Sequence, residues 1–189
     1  MRAGFEDEIA WAEDIKAPTD AIHFALEYIW VVLNSGMRNT VARLIEAKIL
    51  DALYLGHRVY PPDEKVFRHE GKCKAIQNMW DHRDELFEEF NKVKNDTGKV
   101  MDLIVTLPYT KGKTIRWHYA KNLGIDVAKP DRHLLRIAER YKTTTEELCR
   151  KLSIESGDRI ATVDLVIWRA CERGFGYVIV DGGLWQPKE

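Results

Sequence analysis

Apolar side chains recur at helical spacing along most of the chain. Phe5, Ile9, Ala12 and Ile15 repeat every three or four residues, as on one face of an amphipathic helix. Residues 21–33 are apolar on all sides, which predicts a buried central helix. Only residues 176–185, GYVIVDGGLW, have the pattern of an extended segment. The pattern therefore predicts an all-α fold with a short extended C-terminal tail.

Capping residues and helix breakers divide this pattern into separate helices. The second helix is expected after Pro18, with Thr19 or Asp20 as its N-cap. The third ends at Gly56, and Thr143 with Glu146 has the spacing of a capping box. A short piece that begins at YPPDEK is separated by Gly71 from the next long helix. The expected helices cover residues 5–16, 19–33, 38–54, 72–93, 98–106, 113–124, 129–141, 143–152 and 156–174.

Composition indicates a globular protein. The chain has 189 residues, 45% hydrophobic and 31% charged, and no internal repeat or linker, so a single domain over residues 1–189 is expected. The longest apolar run, YIWVVL, is too short for a membrane span, and no basic-then-apolar leader opens the chain. Three distant cysteines cannot form a four-cysteine zinc or iron–sulfur site. We expect a cytoplasmic monomer with no cofactor and no metal.

Charge is unevenly distributed along the chain. The net charge is −1, but residues 1–20 contain six acids and two bases. Residues 109–142 contain nine bases and three acids, a local charge of +6. This segment could bind phosphate groups, and a solvated charged helix face is the alternative interpretation.

Residues 107–138, LPYTKGKTIRWHYAKNLGIDVAKPDRHLLRIA, contain the candidate chemistry. A short turn between two helices leaves the N–H groups of the second helix available to a phosphate, and Lys111 and Lys113 would add charge. A partly buried lysine near other cations becomes a nucleophile. Asp131 follows Lys113 by 18 residues, which is enough chain to return beside it. The alternatives are that Asp131 caps its helix and that Lys113 is a surface lysine.

These residues resemble the helix-hairpin-helix DNA glycosylase superfamily, in particular its endonuclease III-like branch. The family hairpin has the form Leu-Pro-Gly-hydrophobic-Gly-x-Lys-Thr, and LPYTKGKT matches it at four positions. VAKPDRHLLRIA matches the family's Asp-x-His-x-x-Arg pattern, and the Lys113–Asp131 interval is the same. GKCKAIQNM and WVVLNSGMRN, at 71–79 and 30–39, resemble further family segments, so the likeness covers residues 20–172. The matched positions are Leu107, Pro108, Lys113, Thr114, Asp131, His133, Arg136, Gly71, Lys74 and Ala75.

The chain departs from the family pattern in the hairpin. Tyr109 and Lys111 stand where the family has glycines, and a glycine is found at position 112. Glycine adopts positive φ at little cost and lets backbone N–H groups approach a phosphate. We therefore expect the contact of this hairpin with DNA to be altered or weakened. The cysteine cluster of some relatives is absent from the sequence.

The resemblance implies a two-lobed helical fold that flips a base out of double-stranded DNA. Carried over by position, the helix-hairpin-helix motif covers about residues 98–123 and the catalytic Asp loop residues 124–133. Lys113 would attack the sugar C1′ and Asp131 would assist it. The expected DNA contacts are Met37, Arg38, Lys74, Tyr109, Thr110, Lys111, Gly112, Thr114 and His133.

The base pocket is less closely defined by the motif. Trp30 and Glu27 lie on the second helix, and Trp117 follows the hairpin. An aromatic ring can stack on a flipped base, but tryptophan in an all-α core more often packs against other side chains. Both interpretations of these residues stay open.

Four functions remain as alternatives. The first is base excision with AP lyase activity on a modified or damaged base in DNA. The second is a transferase or pyrophosphorylase of the same fold, acting on activated 5-hydroxymethyluracil in phage DNA. The third is a DNA-binding module without catalysis, and the fourth is a helical interaction protein. The resemblance favours the first.

Overall fold

The computed structural model describes residues 4–112 and 114–174, which are mostly helical. These residues form ten α-helices and no β-strand, and one isolated bridge joins Asp63 and Phe67. The predicted all-α class is confirmed for this part of the chain, while the tail predicted at 176–185 lies outside it. The helices are α1 (Glu6–Asp14), α2 (Ala21–Asn34), α3 (Asn39–Tyr54), α4 (Glu70–Asp81), α5 (Arg83–Val93), α6 (Thr97–Thr106), α7 (Ile115–Asn122), α8 (Arg132–Arg140), α9 (Thr145–Ser156) and α10 (Ile160–Glu172).

The chain divides into two compact units. The central unit is residues 17–125, which contain α2–α7. The terminal unit joins residues 1–16 to residues 126–189, and its described part contains α1 and α8–α10. The long-range hydrogen bonds described below lie within one unit or the other. No described helix has both the length and the apolar character needed to span a membrane.

Aromatic side chains form the core of the central unit around α2. The Phe24 ring lies 5.3 Å from the Phe90 ring and 5.6 Å from the Tyr119 ring, measured between centroids. The Tyr119 hydroxyl donates a hydrogen bond to the Phe24 carbonyl at 3.0 Å. Burial raises the pKa of Tyr119 well above its ordinary value, so the hydroxyl stays protonated and keeps this donor role. The all-round apolar character of α2 is thus explained by its central position.

The terminal unit packs α8, α9 and α10 around a small aliphatic core. Leu134 and Ile137 of α8 meet Leu148 of α9 and Ile167 of α10 in one buried cluster. Helix α1 is attached to the N-terminus of α10 by Glu13, whose Oε1 accepts hydrogen bonds from the Thr162 hydroxyl at 2.6 Å and from the Arg159 N–H at 2.9 Å. Arg173 adds a second connection between the two ends of the described chain, because it donates to the Gly4 carbonyl at 2.8 Å and pairs with Glu8.

Several predicted helix boundaries agree with the structure. The N-cap of α2 is Asp20, whose Oδ1 accepts from the His23 N–H at 2.8 Å. Helix α3 ends before Gly56, which has a φ of 77°. There the His57 N–H reaches the Ala52 carbonyl at 2.9 Å, as in a Schellman motif.

Other boundaries differ from the prediction. The helix expected over 72–93 is two helices, because His82 has a φ of −113° and ends α4 while α5 begins beside it. Gly71 lies inside α4, which begins at Glu70 because the His69 side chain accepts from the Lys72 N–H. The capping box uses Thr144 and Glu147, one residue later than expected, since Thr144 has the extended backbone of an N-cap and its hydroxyl accepts from the Glu147 N–H at 3.1 Å.

The two adjacent leucines of α8 provide a test of the terminal core. Leu134 is fully buried and Leu135 is 52% exposed. Leu134→Ala should lower the free energy of unfolding by about 2–5 kcal/mol, because it removes buried apolar surface and leaves a cavity. Leu135→Ala, the matched control, should cost less than about 1 kcal/mol. Urea denaturation measures both values, and equal losses would contradict this core.

Candidate functional site

The turn between α6 and α7 is held by hydrogen bonds from inside the central unit. The buried Tyr28 hydroxyl of α2 donates to the Pro108 carbonyl. Thr110 is fully buried, and its hydroxyl is within 2.5 Å of the Ile104 carbonyl and 2.8 Å of the Leu107 carbonyl. The Thr110 side chain therefore stabilises the turn and is not exposed at the surface. Its expected DNA contact is limited to the backbone.

Tyr109 adopts the left-handed backbone conformation that favours glycine. Its φ is 67°, whereas neither Lys111 nor Gly112 has a positive φ. This conformation costs a non-glycine residue about 1–2 kcal/mol. The Tyr109 ring packs edge-on against His69, with 6.1 Å between centroids, and lies 3.7 Å from a Cβ built on Gly71. Packing of the ring against His69 stabilises this conformation at a residue other than glycine. The altered or weakened contact with DNA expected from the sequence stays a prediction.

Lys72 connects this turn to the end of α2. Its Nζ donates to the Leu33 carbonyl at 2.8 Å and to the Ser35 carbonyl at 2.6 Å, and lies 6.0 Å from the centre of the Tyr109 ring. Lys72 is 3% exposed, and burial lowers its pKa. Sequence reasoning selected the exposed Lys74 of this segment and missed Lys72, because the pattern does not distinguish a lysine that binds helix C-terminal carbonyls from one in solvent.

The other expected DNA contacts of the central unit are near the surface. Arg38 is exposed and is the N-cap of α3, and Met37 before it is half-buried. Lys111 and Gly112 are exposed in the turn, and Thr114 is the N-cap of α7. Lys113, the expected nucleophile, lies outside the described residues. The exposed positions are accessible to a large ligand.

Asp131 is the N-cap of α8 in the terminal unit. Its Oδ1 accepts from the His133 N–H at 2.9 Å and the Leu134 N–H at 3.1 Å. The capping alternative from the sequence is thus confirmed, but it uses only one carboxylate oxygen. The second oxygen, Oδ2, is buried and has no hydrogen-bond partner among the described residues. An Asp that only caps a surface helix would expose this oxygen to water.

Two carboxylates fix the loop before Asp131 on α10. The buried Asp164 accepts from the Lys129 N–H at 2.8 Å, and Asp126 accepts from the Ala161 N–H at 2.9 Å. The Asp131 N–H donates to the Lys129 carbonyl at 2.7 Å, so the backbone turns tightly around Pro130. Both ends of this short segment are therefore held, and the Asp131 carboxylate has a defined position.

Lys129 is the cation beside Asp131. Its Nζ lies 3.9 Å from Asp131 Oδ2 and 5.8 Å from the centre of the Trp168 ring. The two side chains are 21% and 12% exposed, so this ion pair is partly shielded from water. His133 is partly buried and its Nε2 is 3.3 Å from Arg132 Nε. The sequence did not predict the ion pair of Lys129 with Asp131, although Lys129 stands only two residues before that Asp.

Two of the expected pocket residues, Glu27 and Trp30, lie on α2. Glu27 Oε2 accepts from Asn122 Nδ2 at 2.8 Å, and Glu27 Oε1 lies 3.6 Å from His23 Nε2. The Arg43 guanidinium lies 3.5 Å from the centre of the Trp30 ring. Trp30 and Glu27 are therefore brought together, one turn apart on the same helix face. A planar ligand would stack on this face of Trp30 only if Arg43 moved.

Trp117 belongs to a different environment. It lies on α7, is half-buried, and its ring centre is 5.5 Å from the Arg116 guanidinium carbon. The contacts of Trp117 among the described residues include neither Trp30 nor Glu27. Among the described residues, no group of three histidine, cysteine or acidic side chains could hold a metal ion.

Comparison with protein-family models, with curated proteins and with solved structures found no match for this chain.

Substitutions at Tyr109 should separate backbone strain from ring packing. At a positive φ, Gly is favoured over Ala, so Tyr109→Gly should be more stable than Tyr109→Ala by about 1 kcal/mol. Both should be less stable than the native chain, because both lose the ring contact with His69. Urea denaturation measures the order. Ala47→Gly on the exposed face of α3 is the control. In a helix, Gly is less favourable than Ala, so this substitution should lower the free energy of unfolding by about 1 kcal/mol. A Tyr109→Ala chain as stable as Tyr109→Gly would contradict the left-handed conformation.

Glu27 should make stability depend on pH. Burial is the main cause that raises its pKa above 4.5, while Asn122 and His23 oppose the shift and Glu46 adds to it. Between 4.5 and the raised value, the folded chain holds a proton that the unfolded chain has released, so stability falls as pH rises through that window. Glu27→Gln lacks this proton release. The difference between its free energy of unfolding and that of the native chain should therefore increase as pH rises through this window.

The measurement is urea denaturation at several pH values from 4 to 7, with exposed Glu88→Gln as the matched control. A difference between Glu27→Gln and the native chain that does not change with pH would contradict the raised pKa.

Proposed function

We propose that this protein is a DNA base-excision glycosylase with AP lyase activity. Lys113 is the nucleophile and Asp131 its electrostatic partner. The observation that carries the proposal is Asp131 itself: one oxygen of its carboxylate caps α8, and the other is buried without a hydrogen-bond partner among the described residues. Burying a carboxylate oxygen is costly, so such an arrangement is typical of a group kept for chemistry.

The turn at 107–112 supports the DNA-binding part of the proposal. Its backbone has a positive φ at the first glycine position of the family hairpin, and Lys111 and Gly112 are exposed at its tip. A positive φ at Tyr109 is compatible with a hairpin whose backbone N–H groups bind a phosphate. The half-buried Met37 and exposed Arg38 provide the candidate wedge, on a loop held by Lys72.

The proposed reaction has three steps. The Lys113 amine, deprotonated, attacks C1′, and the bond from C1′ to the base breaks with its electron pair on the departing base, which takes up a proton. Opening of the sugar ring then gives an imine between Lys113 and C1′. Loss of a C2′ proton eliminates the 3′ phosphate. The Asp131 carboxylate stabilises the positive charge that develops on the sugar in the first step.

Borohydride trapping tests this function. Duplexes with an abasic site, an oxidised pyrimidine or 8-oxoguanine are incubated with the protein, and borohydride reduces the imine to a stable covalent adduct. The native chain should form the adduct and Lys113→Gln should not. Lys99→Gln, an exposed lysine of α6, is the matched control and should form the adduct normally. Asp131→Asn should slow adduct formation by about 10²-fold or more.

Borohydride trapping, nucleoside mass spectrometry and duplex binding together distinguish the other candidate functions. Failure of the native chain to form an adduct on all three duplexes would contradict lyase activity. A new adduct on the base of 5-hydroxymethyluracil DNA, found by nucleoside mass spectrometry, would indicate base modification. Salt-dependent duplex binding that survives Asp131→Asn without any product would indicate a binding module. The absence of DNA binding would indicate an interaction protein.

A further inference from the structure

We infer that Lys129 is a positioning residue for Asp131, an inference that rests on the proposed function. The ammonium of Lys129 lies 3.9 Å from Asp131 Oδ2, the oxygen that takes no part in capping α8. Among the described residues, it is the cation that the structure brings to this carboxylate. Neither the family pattern quoted above nor the spacing of the motif includes this position.

Two hydrogen bonds fix the backbone of Lys129. Its N–H donates to the buried Asp164 of α10, and its carbonyl accepts from the Asp131 N–H. Pro130 between them has its φ fixed near −65°, and it also restricts Lys129 to an extended backbone. Lys129 and Asp131 therefore have a constrained separation, and their side chains meet with little loss of conformational freedom.

The surroundings of the ammonium favour a charged lysine. The Asp131 carboxylate and the face of the Trp168 ring both attract a cation, and both are within 6 Å of Nζ. A lysine held in its charged form is a poor nucleophile, because attack requires the neutral amine. Lys129 thus acts through Asp131: it draws Oδ2 into one orientation and offsets the cost of burying a negative charge.

The two oxygens of the Asp131 carboxylate have different contacts. The two backbone N–H groups of α8 hold Oδ1, so rotation about the Cβ–Cγ bond would break them. Attraction to Lys129 at Oδ2 opposes the same rotation from the other side. The carboxylate is therefore held by hydrogen bonds at Oδ1 and by electrostatic attraction at Oδ2, which pre-organises it toward developing positive charge.

Substitution of Lys129 separates positioning from binding and from structure. With an abasic-site duplex under single-turnover conditions, Lys129→Met should lower the rate about ten- to a hundredfold, because the carboxylate loses its orientation. The Kd for the duplex should change less than twofold. Lys129→Arg, which keeps the charge, should restore most of the rate. Lys151→Met, an exposed lysine of α9, is the matched control and should leave the rate unchanged.

Three results would overturn this role. The first is a rate for Lys129→Met equal to that of Lys151→Met. The second is a loss that lies entirely in Kd and is not restored by arginine, which would make Lys129 a DNA contact. The third is a borohydride adduct that mass spectrometry maps to Lys129, which would make it the nucleophile.

An NMR measurement tests the pair without any activity. In protein labelled with ¹⁵N-lysine, Asp131→Asn should shift the Lys129 ammonium signal and leave the Lys151 signal in place. An unchanged Lys129 signal would overturn the inference even in an active enzyme. If the native chain were inactive on every duplex while the signal shifted, the pair would stand and the proposed function would fail, so the two failures are distinguishable.

Discussion

The Asp131 carboxylate is the constraint on which the candidate site depends. Its Oδ1 satisfies two N–H groups at the start of α8, and its buried Oδ2 lies beside Lys129. The preceding loop is held on α10 by Asp126 and Asp164. Helix α10 in turn packs with α8 and α9 around the aliphatic core. The fold of the terminal unit therefore determines the orientation of one functional group.

A second constraint concerns the turn between α6 and α7. A tyrosine occupies a backbone conformation that favours glycine, and the His69–Gly71 segment and Lys72 form its packing surface. Lys72 also binds the last carbonyls of α2. One buried lysine thus couples the turn to the loop of Met37 and Arg38. Glycine adopts a positive φ because it has no side chain. We interpret the ring packing of Tyr109 as the interaction that stabilises the same backbone conformation here.

The sequence predicted most helices because their signals are local. Asp20 caps α2 and Gly56 ends α3 through contacts within a few residues. Thr143 and Thr144 are each followed after three residues by a glutamate, so the pattern could not choose between two capping boxes. The break at His82 and the positive φ of Tyr109 depend on tertiary packing, which overrides local preference. The contact between Lys129 and Asp164 could not be predicted for the same reason, since it joins residues 35 positions apart.

We propose that Asp131 assists catalysis in addition to capping α8. Release of free base from a duplex that carries an oxidised pyrimidine tests it most directly, with Asp131→Asn compared to Asp131→Ser. Both substitutions keep an oxygen that can cap α8, so both should stay folded. We expect both variants to lose base release while they still bind the duplex. Base release at the native rate by either variant would contradict it.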